Sequence, residues 1–338
     1  VAFVRDNNIF VKDLDNNTET PVTTDGEYNK VKNGWADWVY EEEFGKAEAF
    51  FWNSNGTKIA YIKYNESKVM EYEMPIYNGL YPEHYRYKYP KAGEDNSILS
   101  VFIYDLASNT TKFVDIGKET NIYIPRITWT NDPAILSVQR MNRLQNKLEF
   151  MFADANTGNT KVILTEESKT YIDITDHLTF LEANKGFIWS SENDGYNHLY
   201  HYDFTGKLVN QITKGNWDVM EFKGFDEKSK TLYYISTEES ATERDLYSIS
   251  LDGKNKKKLS TAKGTTDATF SSSFKYYVSH WSDANTPFIY ELHSSDGKLI
   301  KVLEDNKALI EKVKGYDFTK KEMFKFKTSE NVELNGWM

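Results

Sequence analysis

The 338-residue chain contains no cysteine. That removes disulfides, thiolate metal sites, iron–sulfur clusters and a cysteine nucleophile together. Proline is sparse, with seven residues, and no Pro-rich linker divides the chain. No stretch approaches the roughly 18 apolar residues of a membrane span, and no charged start precedes an apolar run as in a secretory leader. A soluble chain without a membrane span is therefore expected. Basic charge is in deficit: 41 Lys and Arg against 51 Asp and Glu give a net charge of −10. Such a surface repels phosphate backbones, so no nucleic-acid partner is expected. There is no Asp-x-Asp-x-Asp-Gly loop and no His-Glu-x-x-His, so neither a metal nor a cofactor is expected. The six histidines, at 84, 177, 198, 201, 280 and 293, have no paired acid at a telling spacing and read as structural or surface residues.

Aromatics are plentiful, at 15% of the chain with 23 Tyr, 20 Phe and 8 Trp, which favours sheet over helix. Short β-branched and aromatic runs recur, and their members Ile135, Phe187, Leu232 and Tyr276 stand 52, 45 and 44 residues apart. Each of the last three runs is followed by a second one and then by a polar turn: Phe204-Thr205-Gly206-Lys207, Leu251-Asp252-Gly253-Lys254 and Ser295-Asp296-Gly297-Lys298. Thr-Gly and Asp-Gly supply the positive φ that a hairpin needs. A further run closes each unit. Four short antiparallel strands in about 45 residues match a β-propeller blade better than a sandwich. The expected fold is all-β, a β-propeller of four-stranded blades. Its segments are a partial blade at 1–24, an acidic aromatic insertion at 25–46 and a blade with an extended arm (72–96) at 47–120. Blades follow at 121–170, 171–215, 216–264 and 265–315, with last strands at 316–338. Val1 opens, and Met338 ends, inside strand-like runs, so both ends read as cuts and the ring as incomplete.

Breaks in a repeat are where function is attached. In the first, Trp35-Ala36-Asp37-Trp38-Val39-Tyr40-Glu41-Glu42-Glu43-Phe44, three consecutive carboxylates stand among aromatic rings. Asp37 fits an N-cap opening a short helical turn. Side chains about 100° apart along that turn would let two carboxylates converge on one small cation, a Lys or Arg of the protein or an α-amino group. Carboxylates near apolar rings are expected to be poorly solvated and costly as ions until a cation arrives. By itself a run of acids reads first as a solvated helix face. The second break holds a tyrosine-rich arm from Tyr77 to Pro90. Extended, it would show rings on one side and Glu, Arg and Lys on the other; such composition suits a protein interface.

The element Asp37-Trp38-Val39-Tyr40-Glu41-Glu42-Glu43, followed by Phe51-Trp52-Asn53-Ser54-Asn55-Gly56-Thr57, resembles the propeller of the dipeptidyl peptidase IV family of prolyl-oligopeptidase-type serine exopeptidases. The likeness extends in order to Tyr89-Pro90-Lys91-Ala92-Gly93, Arg143-Leu144-Gln145-Asn146, Glu192-Asn193-Asp194-Gly195-Tyr196-Asn197-His198 and Thr213-Lys214-Gly215-Asn216-Trp217. It implies an eight-bladed propeller, of which this chain is a part, gating the site of a C-terminal α/β-hydrolase domain in the same protein. It also implies peptide substrates with a free N-terminus, held by the second and third glutamates of the element, Glu42 and Glu43. The arm would take part in a homodimer. No Gly-x-Ser-x-Gly nucleophile elbow occurs, so no catalytic residue is expected in this chain and it should be inactive alone. Vertebrate members carry propeller disulfides; zero cysteine favours a bacterial periplasmic or cell-envelope member. The alternative is a stand-alone propeller acting as a protein-interaction scaffold.

Overall fold

The computed structural model describes residues 1–316 and 318–338; Asp317, within the expected final segment 316–338, lies outside the described residues. The chain forms two compact units, Val1–Ile174 and Thr175–Met338.

In the first unit, β1 (Ala2–Arg5), β2 (Asn8–Lys12) and β3 (Glu19–Pro21) make a three-stranded meander. The next sheet contains β4 (Val31–Asn33), β5 (Phe50–Trp52) and β6 (Lys58–Asn65), the helix α1 (Trp38–Glu42) lying between β4 and β5 in sequence. The chain then leaves this sheet through a hairpin, β7 (Glu71–Ile76) and β8 (Glu83–Lys88), and returns to it as β9 (Ile98–Asp105) and β10 (Thr110–Val114). A four-stranded meander follows: β11 (Ile122–Trp129), β12 (Ile135–Asn142), β13 (Lys147–Asp154) and β14 (Thr160–Glu167).

The second unit repeats that meander three times. Its sheets are β15 (Thr179–Phe180) to β18 (Leu208–Gln211) through β16 (Phe187–Ser191) and β17 (His198–Tyr202), then β19 (Val219–Asp226) with β20 (Thr231–Ser236), β21 (Asp245–Ser250) and β22 (Lys257–Lys258). The last comprises β23 (Thr265–Phe270), β24 (Tyr276–Ser282), β25 (Ile289–Ser294) and β26 (Leu299–Glu304). A helix, α2 (Lys307–Val313), and a hairpin of β27 (Met323–Lys327) and β28 (Glu333–Trp337) follow. In each four-stranded sheet, spatial order equals chain order, so successive antiparallel strands are joined by short hairpin connections. Gly206, Gly253 and Gly297 occupy those turns with φ of +88°, +79° and +90°, as the Thr-Gly and Asp-Gly pairs require.

Stacking explains why inner strands are apolar on both faces. Side chains alternate along a strand, so Leu232 and Tyr234 of β20 pack with Ile188 and Leu199 of the preceding sheet. Their neighbours Tyr233 and Ile235 pack with Ala268 and Tyr277 of the following one. In the first unit, Ile9 meets Tyr61 and Tyr104 across the first two sheets. The indole of Trp129 donates to the Phe51 carbonyl at 2.9 Å, tying β11 to β5. Four-stranded antiparallel meanders stacked face to face are propeller blades, and the fold class is a β-propeller.

The arm hairpin pairs only with itself, in the register Tyr72 opposite Tyr87 and Glu73 opposite Arg86. Rings gather on one face: Tyr85 stacks on Tyr87 at 5.3 Å, and Tyr87 meets Tyr72 edge-on at 5.9 Å. Glu73 pairs with His84 and Arg86 on the other. One acid departs from the expected division. Glu83 shares the parity of Tyr85 and Tyr87, so the carboxylate of the charged face is Glu73, contributed by the opposite strand.

Candidate functional site

The acidic aromatic segment folds as its composition dictates locally. Asp37 is extended (φ −80°, ψ 178°), and its carboxylate accepts from the Tyr40 amide at 3.1 Å, an N-cap that opens α1. The helix is five residues long and ends at Glu43, whose amide donates to the Val39 carbonyl. Val39, Tyr40 and Phe44 turn inward and are buried. The Tyr40 hydroxyl accepts from the Ile124 amide at 2.7 Å, and its ring lies 5.1 Å from both Phe44 and Tyr64. Burial pushes the Tyr40 phenol well above its usual range. An isolated five-residue helix has no stability of its own, so these contacts hold α1 in place.

Beneath the helix sits buried charge. Asp37 is 5% exposed and also accepts from the Ser97 hydroxyl. Burial raises its pKa, an effect opposed by the bonds from Ser97 and Tyr40 and by the nearby Lys32 ammonium. Glu66, 2% exposed, is likewise raised by burial, with Lys32 and Lys88 opposing.

Glu41, Glu42 and Glu43 point the other way and are exposed. This corrects the expectation of poorly solvated carboxylates: the turn of the helix sends the rings of Tyr40 and Phe44 into the core and leaves the acids in water. Glu42 is the last helical residue and Glu43 the C-cap, so the two are consecutive at the end of α1. Glu43 forms part of the wall of a cavity of about 380 Å³, shared with Trp38, Tyr89, Lys91, Tyr123 and Arg143. The guanidinium of Arg143 donates to the Glu94 carbonyl at 3.0 Å and lies 5.8 Å from the Tyr123 ring centroid. Gln145 donates to the Tyr171 hydroxyl at 3.2 Å. Burial first, then the charges of Asp173 and Glu43, raise the Tyr171 pKa. The site thus sets a carboxylate and a guanidinium on one cavity lined by rings, an arrangement that can hold a cation beside a polar, hydrogen-bonding group.

Sequence reasoning placed Tyr89 only in the interface arm and attached no role to Lys91, Tyr123, Arg143 or Gln145. Tyr89-Pro90-Lys91 and Arg143-Leu144-Gln145 were legible as shared motifs, but no local spacing connects them to Glu43.

None of the six histidines lines this cavity. His198 is buried, with Nδ1 at 3.0 Å from the Thr213 hydroxyl and Nε2 at 3.0 Å from the Gly215 carbonyl. The Phe222 amide donates to His177 Nε2 at 3.3 Å. Among the described residues, no group of three or more His, Asp or Glu side chains is placed to hold a metal ion. No helix among them is long and apolar enough to cross a membrane.

Stacked four-stranded meanders, interrupted by a capped acidic turn and a protruding hairpin, make this chain a β-propeller domain. More particularly, it belongs to the family described as the dipeptidyl peptidase IV N-terminal region, whose model matches residues 1–288. The chain is 29% identical over 353 residues to the dipeptidyl peptidase 4 of Trichophyton rubrum, an alignment covering 99% of this chain and 45% of that protein. It is also 29% identical over 370 residues to a probable dipeptidyl-aminopeptidase B of Phaeosphaeria nodorum, covering 100% of this chain and 40% of the relative. The crystal structure of Porphyromonas gingivalis dipeptidyl peptidase 4 superposes with a TM-score of 0.95 at 44% identity, covering 100% of this chain and 48% of that one. A putative dipeptidyl aminopeptidase IV from Bacteroides ovatus shares the fold, with a TM-score of 0.82 at 24% identity. The chain therefore spans less than half the length of these relatives.

Proposed function

We propose that this chain is the substrate-gating propeller of a dipeptidyl peptidase IV-type serine exopeptidase, in which Glu42 and Glu43 bind the free amino terminus of a peptide. The observation that carries this reading is the pair itself. Two adjacent carboxylates project from a turn immobilised by Asp37 and Tyr40, and Glu43 lines the cavity beside them. Family membership supplies the reaction class, the release of N-terminal dipeptides.

The chemistry follows from charge and exposure. An α-amino group has a pKa of about 7.7–8.0, so at neutral pH it arrives as a cation able to offset the repulsion between neighbouring carboxylates. Ion pairs open to water contribute only about 0–1 kcal/mol. Selectivity therefore requires that the bound peptide and a covering domain exclude water, which is the part assigned to a C-terminal α/β-hydrolase domain of the same protein. With water excluded, a blocked N-terminus leaves two carboxylates uncompensated, and that penalty rejects it. The anchor acts as a ruler: it fixes how far into the peptide the scissile bond lies, while nucleophile, acid and base belong to the hydrolase domain. The propeller alone is thus expected to be inactive.

Two further assignments accompany this one. The arm of residues 77–90 joins two copies in a homodimer; Tyr77, Leu80 and Tyr81 at its tip are 73%, 98% and 85% exposed. The protein works in a bacterial periplasm or cell envelope, in keeping with a cysteine-free chain.

The test is Glu42→Gln combined with Glu43→Gln in the full-length protein, assayed on a dipeptidyl chromogenic substrate with a free amino group. Cleavage should be abolished, and near-normal turnover would refute the assignment. Deleting the arm should convert a dimer to a monomer by light scattering; an unchanged mass rules out the arm as the interface.

A further inference from the structure

The segment Tyr89-Pro90-Lys91 lies where the arm returns to the blade, and the amino-terminus reading gives it no role. Its ring is placed against the candidate anchor. The Tyr89 centroid lies 4.0 Å from that of Trp38, the first residue of α1. Tyr89 also contacts Tyr72 at 5.6 Å and Tyr87 at 6.0 Å, so it is the inner end of the arm's aromatic face. Backbone bonds fix it there, since the Tyr89 amide donates to the Met70 carbonyl at 3.0 Å. The Lys91 ammonium sits 5.1 Å from the Tyr72 centroid and 5.9 Å from that of Tyr89.

The helix is held from two directions. From beneath, Tyr40 is buried and bonded to the Ile124 amide. From the side, two residues of the arm's return limb reach the first turn: Ser97 bonds Asp37, and Tyr89 packs on Trp38. The first hold is core packing, whose loss unfolds the turn. Of the second, the Ser97 bond is buried, whereas the Tyr89–Trp38 contact is half-exposed and bears on rotation of α1, because it acts on a bulky ring at the helix start. Trp38, Tyr89 and Glu43 all line the same cavity, so a shift of Trp38 changes the space into which Glu43 faces.

We propose that Tyr89 is a positioning residue for amino-terminus binding: its ring, packed on Trp38, fixes the orientation of α1 and so the placement of the Glu42 and Glu43 carboxylates. This rests on the reading that those glutamates hold the amino terminus. Tyr89 touches no reacting atom, so its effect falls on substrate affinity rather than on the chemical step.

The experiment is steady-state kinetics of the full-length protein on a free-amino dipeptidyl p-nitroanilide. Tyr89→Ala is expected to raise KM about 3- to 10-fold, the range of a lost aromatic pair, with kcat within about twofold of wild type. Tyr89→Phe, which keeps the ring, should restore a near wild-type KM. In a Glu43→Gln background the Tyr89→Ala effect should shrink to less than about twofold, since residues acting through one another are not additive. Should Tyr89→Ala lose its native circular dichroism, Tyr89→Leu carries the same expectation, because it keeps bulk and removes only the ring. An unchanged KM in the folded variant overturns the inference, and so does an undiminished effect in the Glu43→Gln background. If Glu42→Gln with Glu43→Gln leaves turnover near normal, the amino-terminus reading fails and this inference falls with it. If that pair abolishes cleavage and Tyr89→Ala leaves KM unchanged, the inference alone fails.

Discussion

The buried carboxylate of Asp37 bonds the hydroxyl of Ser97, 60 residues later in the chain, and so joins the cap of α1 to the limb that returns from the arm. The same carboxylate caps the helix through the Tyr40 amide. One side chain therefore performs a local and a long-range task.

Asp37→Ala should destabilise the protein by about 0.5–2 kcal/mol through the lost cap, with a further cost from the Ser97 hydroxyl left buried without its acceptor. Asp37→Asn keeps an acceptor for the Tyr40 amide and a polar partner for Ser97, so it should be far milder. The two differ in pH dependence as well. Burial raises the Asp37 pKa in the folded state, so the folded protein holds its proton where the unfolded chain has released it. The stability this confers is complete below the unfolded carboxylate value of about 3.9 and is lost as pH rises through the elevated folded value. The stability of Asp37→Asn relative to wild type should accordingly improve as pH rises across that window, as measured by urea denaturation at a series of pH values. A difference independent of pH would contradict a raised pKa.

Lys58 and Asp105 give the opposite sign. Paired across β6 and β9, they are largely covered, and the side-chain bond from Lys58 is the leading cause that holds Asp105 down at about 2. Its contribution is present above the unfolded value of about 3.9 and is lost as pH falls through about 2. Lys58→Met should let Asp105 titrate nearer the ordinary carboxylate range, as followed by NMR of its carboxyl carbon, and should shift acid unfolding to higher pH.

Two glycines with similar backbone angles should respond differently to a methyl group. Gly158 has φ +78°, and a Cβ there would lie 1.9 Å from the Phe113 carbonyl oxygen. Gly56 has φ +68° with nothing within 4 Å of a Cβ. Gly56→Ala should cost about 1 kcal/mol, from left-handed backbone strain alone. Gly158→Ala adds a clash with backbone that cannot swing aside and should cost more than about 3 kcal/mol. Thermal unfolding of the two variants side by side makes the comparison; equal losses would mean that the chain relaxes around Phe113.

His198 offers a test of a buried polar residue that belongs to no site. The Gly215 carbonyl can only accept, so Nε2 carries the proton and Nδ1 takes the Thr213 hydroxyl, while that hydroxyl accepts from the Leu199 amide at 2.9 Å. His198→Ala removes both ring bonds and leaves a cavity beside Trp217, and should cost about 2–5 kcal/mol. Circular dichroism melting checks the magnitude, and enzymatic turnover at a temperature where the variant is folded should be unchanged.

Much of the fold was legible because its determinants are short-range. The runs around Phe187, Leu232 and Tyr276 became β16, β20 and β24, and the Asp-Gly and Thr-Gly turns took the positive φ they require. The Asp37 cap was legible for the same reason, since its partner is three residues away. The exposure of the glutamates follows the solvated helix face that a run of acids suggests, while the poor solvation expected beside Tyr40 and Phe44 does not hold. A helix separates neighbours by about 100°, and the core took the rings.

The sequence by itself determined the repeat, the hairpin turns, the capped acidic turn and the exposed run Glu41-Glu42-Glu43, all set by residues within a few positions of one another. Only the tertiary structure decided that Trp38 meets Tyr89, that Asp37 reaches Ser97 and that Glu43 shares a cavity with Arg143. Those partners come together through the stacking of sheets and the return of the arm. Such packing depends on many side chains at once, and no spacing along the chain encodes it.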